Sequence, residues 1–510
     1  MSQKPSRAGA FPPPMGWVPI LVALGLVTIA SVAAFVPQYG THKILGVSNN
    51  GTTNGTGTDN STGGTQGTDA TQGKTVVGSG SGGSNGSGGG GGGGGGANDC
   101  AHGKNAGATD VGVTSTSVHI ASTIVTTGIG QGFLGQAVSG MKAAINQVNQ
   151  AGGVCGRHIT IETLNDNWER DKGAGYIGNY ISQGNVFALV GEPDSEGLDA
   201  AWQNGSIDKA GIPVVGTDGM LASQYNDPWI WPVAASTVTN MHIIADYAKN
   251  QLHAHRVGIV YDSIYKFGKE GAAAFAAQVK RESGGETLGM DTSKSCAGGY
   301  CGISPSSTDY SGNIHDFNAY CSGSTPCDVV VMLLEPTPAL NWMRGEENCN
   351  CTWYHTLMGG EPLFDDTFAN DCAQDCANMI VWTGYKPDLQ PFAGETPVYT
   401  FAQGLQAACG TCDSHNEFTE GAYLGTKMFI AALQQVGSNL TRATLRQAMD
   451  GATFDLGLSL PLHYGSGLPH QANLSMVAYK DNASGTFNAW SYLSTGFLKD
   501  PAPGQDLQSQ

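Results

Sequence analysis

Residues 188–201, ALVGEPDSEGLDAA, run an apolar strand-like segment through Gly191-Glu192-Pro193-Asp194-Ser195 into a helical pattern. Where a strand feeds a helix start, free backbone N–H donors face outward and suit an anionic group. Here three acids, Glu192, Asp194 and Glu196, crowd the turn and would repel an anion. The chemistry on offer is therefore recognition of something neutral or cationic. Ser195 carries two compatible readings, a ligand-binding hydroxyl or the residue that caps the helix. Asp166, beside Trp168, reads as a turn acid rather than half of a carboxylate pair. Cys409-Gly-Thr-Cys412, with His415 nearby, has the residue types of a zinc or redox site, but no second ligand pair at zinc-like spacing accompanies it. No Gly-x-Ser-x-Gly, His-Glu-x-x-His or phosphate loop occurs, so the expectation is a protein that is not an enzyme and uses no cofactor or metal. GQGFLG, residues 130–135, superficially resembles a dinucleotide fingerprint, but no acid placed to read a ribose follows it.

Positioning such residues takes a folded body, and the composition says where it lies. Of the 510 residues, 75 are Gly, and residues 48–97 are almost entirely Gly, Ser, Thr and Asn. Such a stretch has nothing to bury that would offset its ordering entropy, so residues 38–97 are expected to be a disordered linker. Before it, Lys4 and Arg7 precede GWVPILVALGLVTIASVAAFV, about twenty uncharged residues, the length that spans a bilayer. Residues 1–15 are then a cytoplasmic N-terminus and 16–37 a transmembrane helix. The alternative is a signal segment cleaved at Ser31-Val32-Ala33 or Val32-Ala33-Ala34, which makes the protein secreted. On either reading the bulk of the chain is extracytoplasmic. The net charge of −18 argues against nucleic acid and anionic membrane surfaces as partners. Charged residues make up only 13% of the chain, a low density that fits an exported protein in acidic surroundings.

Twelve cysteines, an even number in an exported chain, point to disulfides. Short-range candidates are Cys296 with Cys301, Cys321 with Cys327, Cys349 with Cys351, Cys372 with Cys376, and Cys409 with Cys412. Cys100 and Cys155 remain as a long-range candidate.

From about residue 116 strand and helix patterns alternate. VHIASTIV reads as a first strand; in AVSGMKAAINQVNQAGG, Val138, Met141, Ile145 and Val148 share a helical face and Gly152-Gly153 stops it. Strands HITIETL, VFALVG and IPVVG follow with helices between, and a second series runs through RVGIVYD and DVVVMLLE. This alternation implies βαβ units and parallel sheets covered on both faces. Two series imply two α/β lobes with the binding site between them, beyond the carboxyl ends of the strands.

The segment GFLGQAVSGMKAAINQVNQAGGVCGRHITIETLNDNWERD resembles the opening of bacterial type I solute-binding proteins of the leucine/isoleucine/valine-binding family. VFALVGEPDSEG, AGIPVVGTDG, HRVGIVYDSIYKFGKEG, CDVVVMLLEPTPAL, HTLMGGEP and FTEGAYLGTKMFIAALQQVG continue the likeness in order, over roughly residues 112–497. The resemblance implies two Rossmann-like lobes joined by three crossovers, the type I periplasmic binding protein fold. It places the solute-binding domain at 98–500, lobe 1 at about 112–236 and 384–465 and lobe 2 at about 237–383 and 466–500, with hinges near 236, 383 and 465. It also implies site roles. Ser195 matches the serine that holds a ligand carboxylate, and Thr217 is the nearest match to its helper threonine. Glu361 matches the acid that pairs with a ligand ammonium. Phe133 and Phe267 match aromatic walls from the two lobes, and Phe418 is a further candidate. Glu335 falls where the family often has Tyr, a departure. The function implied is capture of a small amino acid or amino acid-like ligand for delivery to an ABC transporter permease. The alternative is a membrane-tethered sensory or adhesion module that reuses the fold without transport.

Overall fold

The computed structural model describes residues 100, 105–322, 325–349, 351, 354–470, 475–481 and 490–507. The segments expected to be an anchor and a linker, 16–37 and 38–97, lie outside these residues. Among the described residues no helix is long and apolar enough to cross a membrane.

Two sheets organise the molecule. The first is wholly parallel, in the order β2-β1-β3-β4-β5, from β1 (Ser117–Ile124), β2 (His158–Asn165), β3 (Ala188–Val190), β4 (Val214–Thr217) and β5 (Ile230–Pro232). Its helices are α1 (Gln131–Leu134), α2 (Ala137–Gln150), α3 (Arg170–Gln183), α4 (Ser195–Gln203) and α5 (Ser206–Ala210). In α2 the predicted face turns inward: Met141, Ile145 and Val148 are buried and Val138 partly so, and Gly152 and Gly153 follow with φ of 98° and 77°. The left-handed φ is what glycine supplies at a helix stop without a Cβ clash.

The second sheet runs β14-β13-β10-β9-β8-β6-β7. Its parallel part is β6 (Val257–Asp262), β7 (Tyr300–Ile303), β8 (Cys327–Leu333), β9 (Tyr354–Gly359) and β10 (Ile380–Thr383). Around it lie α6 (Thr237–Asp246), α7 (Lys266–Glu282), α8 (Ser311–Cys321), α9 (Pro336–Cys349) and α10 (Asp366–Cys372). The expected parallel sheets are present in both lobes, and the second adds antiparallel strands at one edge. After α11 (Thr396–Ala408), α12 (Glu417–Val436), α13 (Arg442–Met449) and the small pair β11 (Thr453–Phe454) and β12 (Leu462–His463), the chain returns with β13 (Ser475–Asp481). That strand pairs antiparallel with β10, β14 (Trp490–Tyr492) and β15 (Leu498–Lys499). A strand arriving from the other lobe needs no right-handed crossover helix, so it can add antiparallel at an edge.

The chain passes between the two sheets three times, between β5 and α6, between β10 and α11, and between β12 and β13. Helices α11 and α12 pack on the first sheet's core with Phe187, Val190 and Val215, although they follow the second sheet in sequence. One apolar cluster joins Val125, Phe133, Trp168 and Met220 of the first lobe to Phe267, Leu333 and Phe364 of the second, so the lobes are closed on each other. All twelve cysteines pair, as Cys100–Cys155, Cys296–Cys301, Cys321–Cys327, Cys349–Cys351, Cys372–Cys376 and Cys409–Cys412.

Candidate functional site

The turn after β3 is organised by its own acids. Asp194, not Ser195, caps α4: both of its carboxylate oxygens accept from Gly197 N, at 3.0 Å each. A short carboxylate at the N-cap satisfies a donor that the helix leaves open and sits favourably on the helix dipole. The consequence is functional, because the position an anionic ligand would take at this helix start is filled by the protein. Ser195 becomes the first helical residue, fully buried, with its Oγ 3.8 Å from Met220 Sδ and facing Asp218. Glu192 turns inward, where Thr123 donates its N–H at 3.0 Å to one oxygen and its hydroxyl to the other. Glu196 reaches across to the second lobe and accepts from Lys266 N at 2.6 Å.

Beyond this turn lies a closed cavity between the lobes, with about 10 Å³ of room, enough for roughly one water molecule. Glu192 and Pro193 line it after β3, Asp218 and Met220 after β4, Glu361 after β9, Tyr385 after β10, and Glu417 and Phe418 at the start of α12. Its walls thus carry four carboxylates, Glu192, Asp218, Glu361 and Glu417, and no Lys, Arg or His. Gly216 also lines it, with φ of 78° and its Cα packed against Gly425 of α12, so a side chain there would push the helix off the sheet.

Burial dominates the ionisation of these acids. It raises Glu361 to about 7, partly countered by the Thr237 hydroxyl. It raises Asp218 to about 7 and Glu417 to about 8. It lifts Glu192 and Glu420 well above the usual carboxylate range, with neighbouring acids adding to the effect. A carboxylate out of water with no positive partner holds its proton, which is the sense of every one of these shifts.

The residues expected at the site fall into three places. Glu361 and Phe418 line the cavity. Thr237 Oγ1 donates to Glu361 Oε1 at 2.6 Å and Asn240 Nδ2 donates to Oε2, both from the start of α6. Phe133 and Phe267 do not line it but pack beside it around Trp168, whose ring lies 5.2 Å from Phe133 and 5.7 Å from Phe267. Phe133 also meets Phe418 at 5.1 Å. Thr217 is turned away from the cavity and bonds to Gln224. Glu335 is fully buried in the second lobe, where it meets no N–H or O–H donor and faces the Asp262 carboxyl. Burial, with the Asp262 carboxyl beside it, raises Glu335 well above the ordinary range.

Several residues of the site were not singled out from the sequence as ligand contacts. Trp168 stacks on Tyr265 of the second lobe at 4.1 Å between ring centroids and is fully buried. Asp166 serves as the expected turn acid, accepting from Trp168 N at 2.8 Å, yet its other oxygen is buried beside Asp194. Asp218, Tyr385, Glu417 and Glu420 complete the acidic surround. In sequence Glu417 and Glu420 are ordinary first-turn acids of a helix, which gave no signal of burial.

His415 has a different role from the zinc reading. Among the described residues, Asp366, Asp413 and His415 are the one group with ligand atoms close enough to hold a metal ion, all within 4.8 Å. Cys409 and Cys412 are not part of it, being disulfide-bonded to each other. His415 Nδ1 lies 2.8 Å from Asp366 Oδ2 and 3.7 Å from Asp413 Oδ1, while Nε2 lies 3.1 Å from Asp388 O. Burial alone would lower its pKa, but the bond to Asp366 and the charges of Asp366 and Asp413 outweigh that and lift it to about 9. A protonated imidazole donating from both nitrogens has no lone pair for a metal. The group is an ionic clasp between α10 of the second lobe and the segment leading into α12 on the first.

The comparisons agree with this architecture. Residues 117–480, more than half of the chain, match a family model described as periplasmic binding protein. No curated protein matches the chain in sequence. Among solved structures, a possible leucine/isoleucine/valine-binding protein from Rhodopirellula baltica SH 1 is similar, with 14% identity, a TM-score of 0.62 and coverage of 76% of this chain and 98% of that one. A fatty acid ABC transporter substrate-binding protein from Thermomonospora curvata gives 13% identity and a TM-score of 0.62 over 79% and 96%. The isoleucine complex of a branched-chain amino acid transporter substrate binding protein from Streptococcus pneumoniae gives 15% identity and 0.57 over 75% and 100%. At such identities the structural likeness speaks for the fold alone, and the family model carries the assignment: the chain is a member of the periplasmic binding protein family, of type I, with the architecture of the leucine/isoleucine/valine-binding proteins.

Proposed function

We propose that this protein is an extracytoplasmic receptor that closes its two lobes on a small amino acid-like solute with a cationic or neutral polar end and delivers it to an ABC importer. The observation that carries the reading is the cavity wall, four carboxylates and no cation, beside a helix start already capped by Asp194. A zwitterionic amino acid needs donors for one end and a carboxylate for the other. This cavity supplies the second in excess and has given away the first. Glu361 and Phe418 are the ligand contacts we carry forward from the sequence, Phe418 as an apolar wall. With room for about one water in the closed form, entry requires the lobes to part, and the three crossovers are the natural hinges. We further propose that residues 16–37 anchor the protein and that 38–97 tether the receptor outside the membrane.

Thermal-shift screening of the purified protein against amino acids, amides, urea and polyamines tests the reading. A solute that binds the folded form raises the melting temperature in proportion to the logarithm of its concentration over Kd. Silence across all four classes at millimolar concentration would remove the receptor function.

A further inference from the structure

Glu417 and Glu420 occupy the first turn of α12, three residues apart and so on one helix face. Glu417 lines the cavity and is 4% exposed; its Oε1 accepts from Gly384 N at 3.3 Å, the Thr383 hydroxyl also faces the carboxyl, and Oε2 has no hydrogen-bond donor. Glu420 is fully buried and neither of its oxygens has a donor. Glu361 and Glu192, on the same cavity, have donors on both oxygens. On the cavity wall the acceptors without a donor are therefore Glu417 Oε2, with Glu420 one turn along the same helix, and Asp218 Oδ2 at the end of β4. The helix dipole offsets only a small part of the cost of burying an unpaired carboxylate. The charges acting on Glu420 are Glu417 and Asp388, both acids. These carboxylates want a positive partner that the chain does not provide.

We infer that the partner is the solute, and that the solute is a linear aliphatic diamine, with one ammonium taken by Glu417 on the cavity wall, backed by the charge of Glu420 one turn along α12, and the other directed to Asp218. This deepens the receptor reading and rests on it. A single metal ion does not fit, because the only metal-like spacing among the described residues is at Asp366, Asp413 and His415. Glu417 and Asp218 reach the cavity from different elements, the start of α12 and the end of β4, and suit separate positive poles. Met220, Phe418 and Ala422 line the cavity together with the acids and suit methylene groups. No Lys, Arg or His on the wall would receive a ligand carboxylate, which favours a solute that carries positive charge at both ends.

Isothermal titration of the full chain with 1,4-diaminobutane, leucine and ammonium chloride at neutral pH tests the inference. Diaminobutane should bind well ahead of both others, and Glu417→Gln and Glu420→Gln should each weaken it tenfold or more. Glu346→Gln, which changes a buried acid held by Trp342 and Tyr354 outside the cavity, should leave the affinity alone. Ligand-free melting of the Gln variants at or above the wild-type temperature shows that they are folded, and Glu417→Asp should restore part of the binding. Binding of leucine without diaminobutane overturns the diamine while the receptor reading stands. Unchanged diaminobutane affinity in both Gln variants overturns the assignment to α12. If no solute binds at all, the receptor reading falls and the inference with it.

Discussion

Glu361→Gln should make the ligand-free protein more stable, and only at neutral to alkaline pH. Burial holds Glu361 at about 7 against 4.5 for the free side chain, a difference of roughly 2.5 pKa units or about 3 kcal/mol. The sign follows from proton binding. Between about pH 4.5 and 7 the folded chain keeps this proton and the unfolded chain releases it, so stability is complete below that window, falls through it, and levels off above it. Gln never ionises and escapes the loss. The substitution also fits the hydrogen bonds. Gln Oε1 can accept from the Thr237 hydroxyl as Glu361 Oε1 does, and its amide faces Asn240. Asn240 Oδ1 is buried without a donor, so a flip of that amide turns a donor–donor clash into a hydrogen bond. Urea denaturation of both proteins at pH 4.5 and 8.5 reads the difference, because the remaining titrating groups largely cancel. The expected result is near-equality at pH 4.5 and a gain for the variant of about 2–3 kcal/mol at pH 8.5. Parallel stability profiles across that range would show that Glu361 is hydrated and that the cleft is not closed over it.

Two further outcomes follow from the contacts between lobes. His415→Gln should lose on the order of 2–3 kcal/mol at pH 6 and little at pH 10, since the folded pKa of about 9 gives a stabilisation complete below about 6.5 and lost as pH rises through 9; denaturation midpoints at the two pH values check it. Trp168→Ala should cost about 3–5 kcal/mol by removing a buried Trp packed on Phe133, Tyr265 and Phe267. The radius of gyration in solution should rise as the lobes part, and an unchanged radius would deny Trp168 a role in closure.

The alternating elements were legible because their signals are local. The apolar face of α2 and its Gly152-Gly153 stop need no knowledge of the rest of the chain, nor does the run Ala188–Val190. Strand β7, Tyr300–Ile303, was missed because its pairing with β6 is tertiary and its four residues include Gly302 and a disulfide cysteine. In α7 the alanine-rich run from Gly271 is a plain helical signal, whereas its first turn, Lys266-Phe267-Gly268-Lys269-Glu270, carries none of that pattern. At the site, the acidity of the turn after β3 was plain, whereas which acid caps the helix depended on one residue of register, Asp194 in place of Ser195. Burial is where sequence reasoning ran out. Glu417 and Glu420 look the same whether solvated or enclosed, and only the return of α12 to the first sheet encloses them.

That enclosure gives the proton a part in closure. Glu361, Asp218 and Glu417 hold protons to about 7, 7 and 8, and His415 keeps its own to about 9. The acids and the histidine act with the same sign, because in every case the folded form binds the proton more tightly than the unfolded chain does. The folded, closed form is therefore most stable in mildly acidic surroundings. As pH rises the acids of the cavity wall, Glu192, Asp218, Glu361 and Glu417, ionise against one another and against Glu420 beside Glu417, with no cation on the wall to answer them. On the proposed reading a cationic solute takes the place of those protons: its binding displaces them at low pH and meets ready carboxylates at high pH, so solute and proton compete for the same closed state.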